Sequence, residues 1–327
     1  MLPFECDDIR AAAYIGHQDA QDGDNELRKV YEYIRGLKSA NKSSEERFAT
    51  VLRDTIDQLL NGEVTGRYDW NDLFKTEKTH AGTLVEINLQ REFKFDDGRE
   101  MDYRIAGVDV DCKFSQHFGG WMIPPEALGH LCLLVWADDQ RTRWSAGLMR
   151  IRPEWLNRGN NRDLKMTIKA EHRSNIHWLW RDAELPENIL LHMDADDRKA
   201  VFSHQSGQQR LNELFRRVRD RRIGRNVIRS VAQQKDYMKR VRGNGGCRSA
   251  LQPEGIVIMG DYDSHKRIAD QLKLPSPREG EFVSTRLTPV AVREADRPAV
   301  FLEGRFWACA SDEDPTVKAP ALPSHTG

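Results

Sequence analysis

Two early stretches repeat apolar residues at intervals of three and four: Leu27, Val30, Tyr31, Ile34 and Leu37, then Phe48, Val51, Leu52, Ile56, Leu59 and Leu60. Each set makes one stripe on a helix, so the spacing predicts two amphipathic helices. Asn61-Gly62 ends the second. Residues 83–93 fit two periods at once. Val85, Leu89 and Phe93 fall at four-residue helical spacing, whereas Val85, Ile87, Leu89 and Phe93 also suit a strand. Asp96-Asp97-Gly98 predicts a turn, and residues 101–114 read as extended chain broken near Gly107. Residues 131–137 form an unbroken apolar run, the pattern of a strand covered on both faces. Asp138-Asp139-Gln140 turns that run into another strand over 142–151. Helices followed by a short mixed sheet with a buried central strand define an α/β or α+β core, a central mixed sheet flanked by helices.

The pattern changes after Trp178 and Trp180. Asp182, Glu184, Glu187, Asp194, Asp196 and Asp197 make an acid-rich stretch that reads as a boundary between domains. Beyond it, Leu211, Leu214, Phe215 and Val218 mark one amphipathic helix. Val227, Ile228, Val231, Met238 and Val241 mark a second, which Gly243-Asn244-Gly245-Gly246 ends. Strand candidates at 256–259, 281–287 and 299–309, with a short helix from Ser264, complete this half. Helices followed by a β-ribbon suggest a winged helix-turn-helix. The expected organisation is a flexible leader (1–24), an N-terminal domain (25–180), a linker (181–200), a winged-helix domain (201–310) and a disordered, Pro-rich tail (311–327).

Composition sharpens this picture. A chain of 327 residues is longer than one core usually serves, in keeping with two domains. The longest apolar run, seven residues, is far short of the roughly 20 that span a bilayer. Glu5, Asp7 and Asp8 stand where a signal peptide needs basic and apolar residues. Five scattered cysteines without a C-x-x-C suggest neither a zinc ribbon nor a disulfide framework. A cytoplasmic protein without a membrane partner is expected. The net charge of −1 hides an asymmetry: residues 206–249 hold thirteen Arg or Lys and three acids, a local +10 that leaves −11 for the rest. A polyanion is the natural partner of such a segment.

The sharpest local feature is Val108-Asp109-Val110-Asp111-Cys112-Lys113-Phe114. In a strand, residues two apart share a face, so Asp111 and Lys113 project together while Val110 and Cys112 face inward. A carboxylate beside an ammonium suits metal-assisted phosphodiester hydrolysis: the carboxylate helps hold Mg²⁺, and the amine handles water or developing charge. The Cys112 backbone carbonyl is a further candidate ligand. By itself the triplet is equally an exposed ion pair worth at most about 1 kcal/mol. The metal hypothesis demands more acids, and two stand upstream. Asp102 is nine residues earlier, within reach of an antiparallel return, and Glu86 lies on the ambiguous 83–93 segment.

Glu86, Asp102 and Asp111-Cys112-Lys113, in this order and spacing, resemble the active site of the NaeI family of restriction endonucleases, whose lysine motif is an unusual Asp-Cys-Lys. Thr79-His80-Ala81-Gly82-Thr83-Leu84-Val85-Glu86-Ile87 is also similar to the glutamate-bearing helix of MutH-like nucleases. Met101 departs from the wider PD-(D/E)xK pattern, which commonly has proline before the first aspartate. The resemblance, spanning roughly 26–309, implies a restriction-endonuclease-like N-terminal domain that cleaves double-stranded DNA with Mg²⁺. It implies Asp102 and Asp111 as metal ligands, Glu86 as a third active-site carboxylate and Lys113 as the catalytic lysine, and it places residues 83–93 in a helix. It further implies a homodimer, a winged-helix domain binding a second DNA site as activator, a GCCGGC target and a cognate methyltransferase. The alternatives are a MutH-like enzyme nicking one strand and a winged-helix regulator built on a dead nuclease fold; loss of a carboxylate or the lysine would mark the latter, and all four are present.

Seven arginines crowd residues 216–229, with Lys235, Lys239, Arg240 and Arg242 beyond. Because few acids are interleaved, self-repulsion favours an anionic partner over a merely solvated face. Arg217, Arg221, Arg225, Arg229, Lys235 and Lys239 are the expected DNA-binding residues. Most would meet phosphates, and one or two arginines could reach guanine edges. His80, His117 and His130 read as surface or supporting groups, and Cys112 as a packed residue with no nucleophilic role.

Overall fold

The stripes near the N-terminus become helices in the computed structural model, which describes residues 24–39, 42–158, 163–241, 245–291 and 297–323. Helix α1 (Asn25–Gly36) begins where the Asp24 carboxylate accepts the Leu27 N–H, and it buries Leu27, Val30 and Ile34. Helix α2 (Ser44–Leu60) buries Phe48, Leu52 and Ile56. Asn61 then turns left-handed at φ 47°, as the Asn-Gly pair predicts, and a single further turn, α3 (Gly62–Thr65), follows. Gly62 has a packing reason: a Cβ there would lie 2.0 Å from the Ser230 hydroxyl oxygen.

The ambiguous segment is helical, as α4 (Lys75–Phe93). Ala81, Val85, Leu89 and Phe93 are buried at four-residue intervals, whereas Ile87, which a strand would have covered, is 38% exposed. The chain divides into two units, Leu73–Pro186 with the chain up to Leu59, and Leu60–Asp72 with the chain from Glu187.

The first unit is built on strands β1 (Asp96–Asp97), β2 (Tyr103–Ile105), β3 (Val108–Ser115), β4 (Leu131–Asp138), β5 (Arg143–Arg150) and β6 (His177–Glu184), hydrogen-bonded in that order. β3 and β4 pair in parallel and the other neighbours antiparallel, a mixed sheet. Ala106 (φ 50°) and Gly107 (φ 84°) form the tight link between β2 and β3. β4 is buried from Leu131 through Ala137, the double coverage its apolar run predicts. Phe48 stacks on Trp144 of β5 at 6.0 Å and lies 4.6 Å from Phe93 and 4.8 Å from Trp180 of β6, an aromatic seam that ties α2 and α4 to the sheet. Mixed α/β architecture with a helix-flanked central sheet is therefore what the chain adopts. β6 continues to Glu184, so the acid-rich stretch begins inside the sheet.

The second unit corrects several expectations. The proposed linker 181–200 contains α5 (Ile189–His192) and most of α6 (Ala195–Phe202), and Ile189, Leu190, Met193 and Val201 are buried with Leu211, Leu214 and Phe215 of α7 (Gly207–Arg217). Apolar residues spaced among the acids were enough to make this stretch core. After β7 (Arg222–Gly224), the helix expected through Val241 is broken into α8 (Arg225–Ala232) and α9 (Tyr237–Val241). Gln233 adopts φ 51° and donates its N–H to the Arg229 carbonyl, and the residues before Tyr237 offer nothing apolar to bury. Of the Gly-rich terminator, Gly243 and Asn244 lie outside the described residues.

Next come α10 (Cys247–Leu251), β8 (Ile256–Gly260), α11 (Asp263–Gln271) and β9 (Glu281–Val290). The strand expected over 299–309 is a hairpin, β10 (Ala299–Leu302) and β11 (Arg305–Cys309), turned at Glu303 (φ 48°) and Gly304 (φ 81°). The strand order is β10-β11-β9-β7, with β8 paired to β9. The expected disordered tail is ordered through 323. Ala319 is buried and donates its N–H to the Gln252 carbonyl at 2.9 Å, while Asp314 accepts from Arg297 at 2.7 Å. A small side chain and one anchored carboxylate outweigh the prolines. Residues 324–327, and the leader as far as 23, lie outside the described residues. Among those described, no helix is long and apolar enough to cross a membrane.

Candidate active site

Strand periodicity sets the site. Asp111 and Lys113 alternate with buried Val110 and Cys112 along β3, and the Lys113 Nζ donates to Asp111 Oδ1 at 2.6 Å. The same amine donates to the Cys112 carbonyl at 2.9 Å and lies 3.5 Å from Asp102 Oδ2. Asp102 arrives by the antiparallel return, immediately before β2, and its Oδ2 accepts the Cys112 N–H at 2.7 Å. That bond fixes the carboxylate against the backbone of the lysine motif. Glu86 approaches from α4: the Tyr103 hydroxyl, buried in β2, donates to the Glu86 carbonyl at 2.7 Å and pins the helix at this point.

Electrostatics tie the group together. Burial, then the charge of Asp102, raises the Glu86 carboxyl above its ordinary range, with Lys113 pulling the other way. Burial is also the largest influence on Asp111 and raises it, opposed by Lys113. Lys113 is held above the usual lysine range: the Asp111 and Asp102 carboxylates outweigh its burial. Crowded, partly desolvated carboxylates around one amine form a site short of positive charge.

Sequence reading placed these four groups together, and the fold brings Asp102, Asp111, Lys113 and the Cys112 carbonyl within hydrogen-bonding range. Glu86 joins them through its charge. Two supporting groups escaped it. Tyr103 is one, and Cys132 the other: its thiol, on β4, donates to Asp111 Oδ2 at 3.2 Å. Parallel pairing of Asp111 with Cys132 makes that contact, and no spacing within the β3 motif announces a partner on the next strand. Asp109, the remaining acid of the motif, takes the Arg99 and Glu100 N–H groups at 3.1 and 2.9 Å and so shapes the preceding turn. His80 and His117 are exposed, and His130 lies 3.4 Å from Glu100.

Among the described residues no three His, Cys, Asp or Glu side chains form a ready-made metal cage. The donors nevertheless suit a hard cation. They are carboxylate and carbonyl oxygens, and an ammonium already sits among them as a positive charge. Mg²⁺ is commonly held by one or two carboxylates and keeps water for its other positions.

The basic segment is arranged differently. Arg217 pairs with Asp197 and, at 2.6 Å, with Glu213; Arg221 pairs with Glu187 at 2.6 Å; Arg229 meets Glu63 at 3.0 Å. Arg216 likewise meets Glu254 at 2.7 Å, and Arg210 spends its guanidinium on the Val231 and Ala232 carbonyls. Acids from outside the segment thus neutralise much of it, which corrects the inference from sparse local acids. Arg225, Lys235 and Lys239 are exposed and make no ion pair among the described residues.

A mixed sheet bearing Asp111 and Lys113, with Asp102 at its edge and a helix-borne glutamate nearby, suits a nuclease of the restriction-endonuclease class. Comparison with known families agrees: the family described as restriction endonuclease NaeI matches residues 35–318. The type II restriction enzyme NaeI of Lentzea aerocolonigenes is 53% identical over 285 residues, covering 85% of this chain and 89% of that enzyme. The chain belongs to the NaeI restriction endonuclease family and is a type II site-specific deoxyribonuclease.

Proposed function

We propose that the enzyme hydrolyses both strands of double-stranded DNA at a GC-rich palindrome, GCCGGC, with Mg²⁺, as a homodimer activated by a second copy of the site. The convergence of Lys113 Nζ on Asp111, Asp102 and the Cys112 carbonyl carries the reading. Asp102 and Asp111, with Glu86 and the Cys112 carbonyl, would hold Mg²⁺, which supplies charge stabilisation and a more acidic water when bound. Lys113, held as an ammonium by its carboxylate neighbours, would orient the attacking water or steady the charge gathering on the phosphate. The buried Tyr103 hydroxyl keeps Glu86 at the site, and the Cys112 N–H keeps Asp102 there.

The second unit serves as the activator-site domain in this reading. α7 and α8, with the β10–β11 ribbon, support a winged helix-turn-helix. Arg225, Lys235 and Lys239, being exposed, would take phosphates directly, whereas Arg217, Arg221 and Arg229 would exchange a protein carboxylate for a phosphate. Two-fold protein symmetry matches a palindrome whose strands are both cut. A methyltransferase modifying the same sequence would protect the host DNA, and the reaction would take place in the cytoplasm.

The test is digestion of sequenced plasmids carrying one or two GCCGGC sites, with Mg²⁺ or with EDTA, followed by end mapping. The expected result is metal-dependent breakage of both strands at that palindrome, faster with two sites. Breaks in one strand only would favour the MutH-like nicking enzyme, and binding without breaks would favour the regulator.

A further inference from the structure

Asp111 has both carboxylate oxygens engaged within the protein. Lys113 donates to Oδ1 at 2.6 Å, and the Cys132 thiol donates to Oδ2 at 3.2 Å. The two partners differ in kind. Lys113 is a partly exposed amine at the end of a long side chain, and it also reaches the Cys112 carbonyl and Asp102. Cys132 is fully buried in the middle of the sheet, packed with Trp121, Leu134 and Met149, and its backbone is locked opposite Asp111 in the parallel β3–β4 ladder. A side chain on the neighbouring strand in direct register shares a face with its partner, so the thiol lies on the side of the sheet that carries the Asp111 carboxylate.

We infer that Cys132 is a positioning residue: its S–H fixes the rotamer of the Asp111 carboxylate and steadies its charge, leaving Oδ1 aimed at the reacting centre. A buried carboxylate without hydrogen-bond donors is costly and free to turn. Lys113 cannot do both jobs, because an amine that moves toward substrate releases Oδ1. A neutral thiol donates without adding positive charge to compete with a cation, which an arginine or lysine at this position would do. Carboxylate ligands of metals are generally held by such hydrogen bonds, and losing one typically weakens metal binding tenfold or more.

The inference rests on Asp111 as a metal ligand, and the experiment separates the two claims. Mn²⁺ binding to the full-length protein would be followed by electron paramagnetic resonance, beside the Mg²⁺ dependence and DNA KM of cleavage. The variants are Asp111→Asn, Cys132→Ala, Cys132→Ser and Cys132→Val. Asp111→Asn should abolish Mn²⁺ binding at this site; unchanged binding would remove the metal-ligand reading itself. With that established, Cys132→Ala should weaken Mn²⁺ binding about tenfold and raise the half-saturating Mg²⁺ by the same factor, with DNA KM unchanged. Cys132→Ser, which keeps a donor, should restore binding, whereas Cys132→Val, which keeps volume without a donor, should not. Rescue by valine and not by serine would reduce Cys132 to packing and overturn the inference. Should the Cys132 variants misfold, the infrared S–H stretch of the protein with all its cysteines in place still decides: a cysteine band must move on Asp111→Asn, and an unmoved spectrum refutes the contact.

Discussion

In the first unit, Lys113 and its carboxylates lie on one strand, the turn before its neighbour and one helix, and their charges remain crowded and incompletely matched. In the second, the arginines that look most crowded along the chain are largely matched, each to an acid brought from elsewhere: Asp197, Glu187, Glu63 and Glu254. Charge density in the sequence is thus a poor guide to charge available to a ligand. The small acidic cluster keeps an unmet need for positive charge, while the conspicuous basic run has spent much of its own. Where electrostatic conflict survives folding, function is the better explanation.

The sharpest way to break this contrast is Lys113→Ala. Cleavage should fall by about 10²–10³-fold or more, as when a group stabilising transition-state charge is removed, while DNA binding by gel shift stays near that of the unaltered enzyme. Retention of cutting would dissolve the proposed chemistry. Next in size is a pair of triple substitutions. Replacing Arg225, Lys235 and Lys239 by alanine should weaken DNA binding and reduce the slope of log affinity against log salt by about one unit per lost phosphate contact. Replacing Arg217, Arg221 and Arg229, each of which must release a carboxylate before it takes a phosphate, should also lower the melting temperature and reduce the slope by less; equal slopes in both would erase the distinction.

A smaller effect concerns stability and pH. Glu86 is raised above the usual carboxylate range, so its ionised form is less stable in the folded protein than in the unfolded chain. That penalty is present at neutral pH and disappears as the pH falls through the raised folded value. Glu86→Gln should therefore lose activity yet raise stability at pH 7, with the advantage fading in acid; calorimetric melts across pH would expose a wrong sign. The smallest effect is expected for Arg221 and Glu187, both partly exposed. A double-mutant cycle on that pair should give no more than about 1 kcal/mol, and a larger coupling would mean that the second unit depends on its ion pairs more than its core suggests.

The sequence alone determined what depends on neighbours a few positions apart. The stripes of α1 and α2, the buried strand β4, and the shared face of Asp111 and Lys113 all follow from the fixed 3.6 and 2.0 periods of the backbone. Glu86 required the family resemblance, because residues 83–93 fit both periods and only packing of Val85, Leu89 and Phe93 separates them. Tertiary structure alone decided the rest. Asp111 meets Cys132 through a parallel ladder that no local pattern encodes, and the arginines meet their acids across up to 166 positions of chain. It also drew Ile189, Leu190 and Val201 into a core from an acid-rich stretch, and it ordered residues 311–323 around Ala319. Local geometry is written residue by residue, but which distant surfaces meet is set by the burial and hydrogen bonding of the whole fold.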